Sequence, residues 1–317
     1  MPKLNRVLQS CRFLPHQLNG FVGFWVVLRD HELPFLEHRV GPALIEPDPY
    51  PHPAFQLPAA DGSWVAKTSS GGGREVMLWD QSAAAAPRQT ATLIQQYKPG
   101  ESMSAIFLGH RDGIELLGLT RQLIGDPVAS PPWRFGYCGN IAPVSLPGSA
   151  EKLIEKMAAA IAARAQLRGL FGVDFIWDGL TPWVVEVNPR YTASCELLEL
   201  ASGQPLLTEH WRCFLDEPPP APPVFVNRRG GLPAMVGKLI LYARRAVTAP
   251  DLSRFVQPRS PWTVPFLADV PRGGTRFEPG QPLCTVFATG REAQAVRQKL
   301  YRRAARVRRW FSDAETV

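Results

Sequence analysis

Residues 173–188 constrain this chain more tightly than any other stretch: Val-Asp-Phe-Ile-Trp-Asp-Gly-Leu-Thr-Pro-Trp-Val-Val-Glu-Val-Asn. Two apolar, β-prone runs, Val173–Trp177 and Trp183–Val187, flank a turn punctuated by Asp178, Gly179 and Pro182, the pattern of a β-hairpin. Pairing symmetric about Leu180 sets Asp174 opposite Glu186, and alternation along the strand puts Glu186 and Asn188 on one face. Two carboxylates would then lie about 5 Å apart, with an amide oxygen beside them. Like charges directly opposite destabilise a hairpin, so a positive group is expected between them. Two acids and an Asn oxygen are hard ligands that suit Mg²⁺ better than zinc. The competing outcome is a bulge or register slip that turns one carboxylate to solvent.

The length of 317 residues permits a sizeable core and two or three lobes. Prolines gather in stretches such as Pro47–Pro58 and Pro218–Pro223, which read as long connections and a linker. The net charge of +7 is not spread: residues 291–310 hold eight basic groups against Glu292 alone, the whole of the excess. Ala293, Val296, Leu300, Ala304, Val307 and Phe311 recur there at helical spacing. The segment reads as a C-terminal amphipathic helix docked by one stripe, its arginines facing solvent. Nucleic acid is not expected as a partner, because no recognised motif or aromatic interleaving accompanies those arginines. The five cysteines are scattered and odd in number, which indicates neither a disulfide framework nor a zinc site. Without a long apolar run or a signal-like N-terminus, a cytoplasmic protein with no membrane partner is expected.

Along the chain, Gly62–Lys67 and Thr92–Tyr97 read as strands, and Ser104–Leu108 with Leu116–Leu123 as an antiparallel pair turned at Arg111-Asp112-Gly113. Ser149–Arg168 reads as a helix stopped by Gly169, Ser194–Ser202 as a second, and Trp25–His38 as a further helical stretch. Asp216–Pro223 marks a boundary, beyond which Val236–Ala246 and Leu283–Ala288 frame a β-rich lobe. Strands and helices mix without regular βαβ alternation, so the expected class is α+β. The expected division is a reduced N-terminal region at 1–56, a core at 57–215, a linker at 216–223 and a closing lobe at 224–317.

Lys67 ends a strand just before Ser69-Ser70-Gly71-Gly72-Gly73-Arg74, where glycine backbone would let N–H groups approach phosphate oxygens. This is not a P-loop, because the Gly-Lys-Ser/Thr order is absent. Gln95, Gln96 and Tyr97, followed by Glu101, offer a strand edge to a purine and an acceptor for ribose hydroxyls. Arg190, two residues past Asn188, is placed to hold a transferring phosphoryl group, and Arg121 and Asn140 are candidates for the same cleft. Each of these segments taken alone is equally an ordinary turn, strand or surface residue. No Ser/His/Asp or Cys/His nucleophile arrangement is present.

The order of these features resembles the ATP-grasp superfamily over roughly residues 60 to 200, and Glu186-Val187-Asn188-Pro189-Arg190 is its most specific part. The resemblance implies two α+β lobes clasping ATP, with Asp174, Glu186 and Asn188 as ligands of Mg²⁺ (or Mn²⁺). It implies Lys67 on the nucleotide phosphates beneath a loop containing Ser70, Gly71, Gly72 and Gly73. Gln95, Gln96 and Tyr97 would meet adenine, Glu101 the ribose, and Arg190 an acyl phosphate. Before Lys67 the chain has only Lys3, so either an arginine such as Arg29 replaces the family's further lysine or nucleotide binding is weakened. Within the superfamily the chain is most similar to tyramine–glutamate ligase and relatives tied to methanofuran and tetrahydromethanopterin metabolism, which implies one-carbon cofactor biosynthesis. The implied activity is ATP-dependent joining of a small-molecule carboxylate to an amine; a homodimer is compatible with it. A bicarbonate-using carboxylase and an ATP-binding scaffold without turnover are the competing readings.

Overall fold

The structure, a computed structural model, describes residues 28, 31–34, 38–40, 58–68, 76–82, 92–215, 235–256 and 263–313. The Gly-rich loop with Ser70, Gly71, Gly72 and Gly73, the Asp216–Pro223 linker and Arg29 lie outside the described residues. Of the helical stretch expected at 25–38, Leu28 is helical and His38 begins a strand.

An eight-stranded antiparallel sheet forms the body of the protein. Its strands are β5 (Glu101–Gly109), β6 (Ile114–Ile124), β7 (Tyr137–Val144), β8 (Gly169–Trp177), β9 (Pro182–Asn188), β10 (Met235–Tyr242), β12 (Leu267–Ala268) and β14 (Pro282–Gly290). They lie in the order β12-β14-β10-β7-β6-β5-β8-β9. A smaller sheet contains β1 (His38–Val40), β2 (Asp61–Thr68), β3 (Met77–Asp80) and β4 (Thr92–Gln96) in the order β1-β4-β2-β3. A two-stranded ribbon joins β11 (Val247–Thr248) to β13 (Arg276–Phe277). The expected α+β class is the class observed.

Helix α1 (Gly148–Ala165) lays Ile154, Met157, Ala158 and Ile161 against Met103, Ala105, Phe107, Phe171, Val173 and Phe175, so every second residue of β5 and β8 meets it. The helix ends earlier than Gly169 suggested. Gln166 takes the left-handed conformation (φ 51°) and its N–H returns to Ala162 O, while Gly169 opens β8. Helices α2 (Ala193–Ser202) and α3 (Leu206–Arg212) cover part of the opposite face, where Cys195, Leu197, Leu198 and Leu206 pack on Ile106, Leu108 and Leu170. Helix α4 (Ala293–Asp313) buries Val296, Leu300, Ala304, Val307 and Phe311 against Ile141, Leu239 and Leu241, the stripe read from sequence.

Two expectations change at this level. The strands after the linker complete the central sheet: β10 pairs with β7 (Gly139 with Leu239, Ile141 with Gly237) as well as with β14. Nor are the α4 arginines uniformly outward. Arg308 donates to the carbonyls of Val128, Ala129 and Tyr242, Arg303 to that of Phe287, and Arg297 to the buried Asp126. Carbonyls of the β6–β7 loop need donors once α4 covers them, and arginine reaches them over its long apolar stem.

Candidate active site

The hairpin of β8 and β9 forms with Asp174 opposite Glu186, Val173 opposite Val187 and Gly172 opposite Asn188. A bulge does occur, but between the Asp174 and Phe175 pairs, on the turn side. Beyond it Phe175 pairs with Val184 and Trp177 with Pro182, so Pro182 belongs to the strand rather than to the turn. The turn is held by Asp178, whose Oδ1 accepts from Leu180 N (2.9 Å) and Thr181 N (2.8 Å). The bulge absorbs the odd residue without separating the two acids, because it falls nearer the turn than either.

The positive groups that act on these carboxylates are Lys67, on β2 of the smaller sheet, and Arg190, just beyond β9. Burial raises the Asp174 carboxyl above its ordinary value, and the charges of Arg190 and Lys67 pull the other way. Burial also raises Glu186, the Asp174 charge adds to it, and Lys67 and Arg190 oppose both. Burial pulls the Lys67 ammonium down to about 8 against the attraction of Glu186 and Asp174. The four groups therefore form one electrostatic cluster in which desolvation outweighs pairing.

Asn188 turns its amide nitrogen to Asp174 Oδ2 (3.3 Å), while Arg190 Nη2 donates to its oxygen (3.1 Å). Among the described residues no three His, Cys, Asp or Glu side chains are arranged to hold a metal ion. The available donor set is two acids and one amide, hard oxygens that fit Mg²⁺. Binding through Asn188 Oδ1 would require that amide to turn over.

All of these residues line a cleft of about 1000 Å³ between the smaller sheet and the central one. Its walls also include Gln95, Gln96, Tyr97, Glu101 and Arg121, so the proposed nucleotide-binding segment and the acidic hairpin share one cavity. Gln95 is 1% exposed and, among the described residues, its Nε2 has no hydrogen-bond partner, a buried donor that an acceptor atom in the cleft would satisfy. Gln96 is exposed on β4 opposite Trp64, and Tyr97 N donates to Ser63 O at 2.9 Å. Glu101 is held by Arg121 Nη2 at 2.9 Å, and Lys98 reaches Asp178 in the hairpin turn at 3.1 Å.

A polar row crosses the sheet at this level. Glu186, Asp174, Ser104 and Thr120 are successive cross-strand partners, and Gln122, Asn140 and Lys238 continue the row. Fully buried Asn140 donates to Thr120 Oγ1 and Ser194 Oγ, both at 2.7 Å, and accepts from the Tyr137 hydroxyl. Lys238 Nζ meets Glu196 Oε2 at 2.6 Å, tying the first turn of α2 to β10. Gln122, Tyr137 and Ser194 line the cleft, and Arg297 enters it from α4. Sequence reading named Asn140 and Arg121 but not Gln122, Thr120 or Arg297. Their only signal is cross-strand register or helix docking, which one chain does not display.

Comparison with known proteins agrees with this architecture. Residues 46–194 match the ATP-grasp domain family. An uncharacterized protein of Methanocaldococcus jannaschii is 24% identical over 226 residues, 71% of this chain and 49% of that protein, so the chain spans about half the relative's length. The L-amino acid ligase of Bacillus licheniformis superposes with a TM-score of 0.66 at 15% identity, over 94% of this chain and 71% of the other. The N5-carboxyaminoimidazole synthase of Aspergillus clavatus, in complex with ADP and 5-aminoimidazole ribonucleotide, gives 0.62 at 14% identity over 94% and 74%. At such identities the structural likenesses speak for the fold. The sequence match spans β2, β3 and β4 of the smaller sheet and the acidic hairpin, so residues 46–194, just under half of the chain, are where it resembles the ATP-grasp domain.

Proposed function

We propose that the protein is an ATP- and Mg²⁺-dependent ligase that joins a carboxylate to an amine. The observation that carries this reading is the opposition of Asp174 and Glu186, facing Lys67 and Arg190, in the cleft that also holds Gln95 to Glu101. Adenine would lie along Gln95, Gln96 and Tyr97, where the unpartnered Gln95 Nε2 supplies a donor. Glu101 would accept from the ribose, and Ser70 and Gly71 to Gly73 would cover the phosphates. Lys67 and Arg190 would orient the γ-phosphoryl group and offset charge as it transfers. Asp174, Glu186 and Asn188 would hold Mg²⁺, which when bound supplies positive charge to the phosphate oxygens.

The chemistry proceeds in two displacements. A carboxylate oxygen of the acid substrate attacks the γ-phosphorus; the bond from that phosphorus to the β,γ-bridging oxygen breaks, and ADP leaves. The amine nitrogen then attacks the acyl carbon, the carbon–oxygen bond to phosphate breaks, and the nitrogen gives up a proton. Such catalysis is positioning and charge neutralisation, so a protein nucleophile is not required. A role in one-carbon cofactor biosynthesis is the finer form of this proposal.

The test is Mg²⁺-dependent ADP release across a panel of acid–amine pairs, with Glu186→Gln as control. Pair-dependent release that the variant loses is expected; equal turnover by both proteins would end the assignment. A second reading, with bicarbonate in place of the acid, is supported by the likeness to the N5-carboxyaminoimidazole synthase. ADP release that responds to bicarbonate and not to other acids would favour it.

A further inference from the structure

We infer that the outward face of α4, together with Arg254, docks an acidic protein segment. Arg297 is held by Asp126 and Tyr301, Lys299 donates to Thr289 O, Arg303 to Phe287 O, and Arg308 to three backbone carbonyls. Arg302, Arg306 and Arg309 remain, all exposed, and among the described residues none of them makes an ion pair. They fall at i, i+4 and i+7, which is one stripe of a helix. Like charges at these spacings weaken a helix, so folding alone gives no reason for the stripe.

Beside it lies a second feature. Phe255, Phe266 and Trp310 stack with centroids 5.2 to 6.0 Å apart. The Arg254 guanidinium sits 5.0 and 5.1 Å from the Phe255 and Trp310 rings, and that of Arg306 5.5 Å from Trp310 and 5.9 Å from Phe266. Rings beneath the guanidiniums hold them in place and leave N–H edges to solvent, which lowers the ordering cost of binding a carboxylate.

The spacing favours a polypeptide. Along α4, Arg302 to Arg306 rises about 6 Å and Arg302 to Arg309 about 10.5 Å. Carboxylates at i, i+4 and i+7 of an acidic helix repeat the same distances and match one for one. Single-stranded nucleic acid needs free aromatic faces for its bases, and these rings are covered by one another and by arginine. Duplex binders typically engage about six to ten phosphates, more than this face can meet. Arg297, the α4 residue lining the cleft, is about 140° around the helix from Arg302, so a docked segment leaves the cleft open.

The test uses the full chain and fluorescein-labelled poly-L-glutamate, with RNA and duplex DNA oligonucleotides of equal charge alongside, at low salt where exposed charges are least screened. Wild type should bind poly-glutamate more tightly than either oligonucleotide. Arg302→Glu/Arg306→Glu/Arg309→Glu should weaken that binding at least about tenfold. The same charge change at exposed Lys152, Lys156 and Arg272 should leave it unchanged. An unaltered melting temperature and ATP affinity would show that the fold survives, and the three-glutamine variant serves if the reversal does not fold. Equal loss in both triple variants, tighter binding of an oligonucleotide, or no binding of poly-glutamate would each overturn the proposal. None of these outcomes depends on the catalytic reading.

Discussion

Asp174 and Glu186 are held face to face by strand pairing, and each is raised by burial despite Lys67 and Arg190 beside them. A carboxyl whose folded value is raised costs the apo protein stability above that value, and the cost is relieved as pH falls through it. Glu186→Gln removes one such charge, so its apo melting temperature should be no lower than wild type. Mg²⁺-dependent turnover should meanwhile fall by about a hundredfold or more, as expected when several kcal/mol of charge stabilisation are lost. Calorimetry and ADP release on the two proteins check both halves. Lys67 gives a pH signature of its own. With its value near 8 in the free protein, the ammonium is present below pH 8 and lost above it. A bound triphosphate favours the charged form, so ATP should bind about tenfold more weakly at pH 9 than at pH 7. Titration calorimetry would measure this, and Lys67→Met should flatten the dependence. The hairpin, the identity of the opposed acids and the need for a nearby cation were legible in the sequence, because alternation and turn punctuation are local. Lys67 itself could be named only through its place before the Gly-rich loop.

Elements with strong periodicity formed where their sequences indicated. The β5–β6 hairpin within the central sheet, and α1, α2 and α4, each with its apolar face against that sheet, are the clear cases. Differences fall at ends, where one or two residues decide the backbone path: Gln166 rather than Gly169 stops α1, and Pro182 joins β9. The α4 arginines are the larger lesson. Helical spacing identified the docked stripe, but the neighbouring loop decided which arginines turn inward, since the Val128 and Ala129 carbonyls require donors. Docking of α4 rests on side chains such as Leu300, which is fully buried. Leu300→Ala should cost about 2–5 kcal/mol in chemical denaturation.

At the scale of the molecule, the central sheet runs unbroken from β9 to β12, joined across the linker by β7 and β10. That seam depends on Gly139, whose φ is +137° and where an added Cβ would lie 2.1 Å from Lys238 O. Gly139→Ala should therefore destabilise the protein by about 3 kcal/mol or more, read as a lowered thermal midpoint. The sequence by itself determined the α+β class, the acidic hairpin, the lysine and strand edge that line the cleft, and the apolar stripes, all of which are written in local periodicity and turn chemistry. Only the tertiary structure decided that residues beyond the linker extend the same sheet, that Gln122, Tyr137, Ser194 and Arg297 complete the cleft, and which α4 arginines stay in solvent. Those outcomes depend on pairing between strands far apart in the chain, where burial and unmet hydrogen bonds in one segment select the partners offered by another.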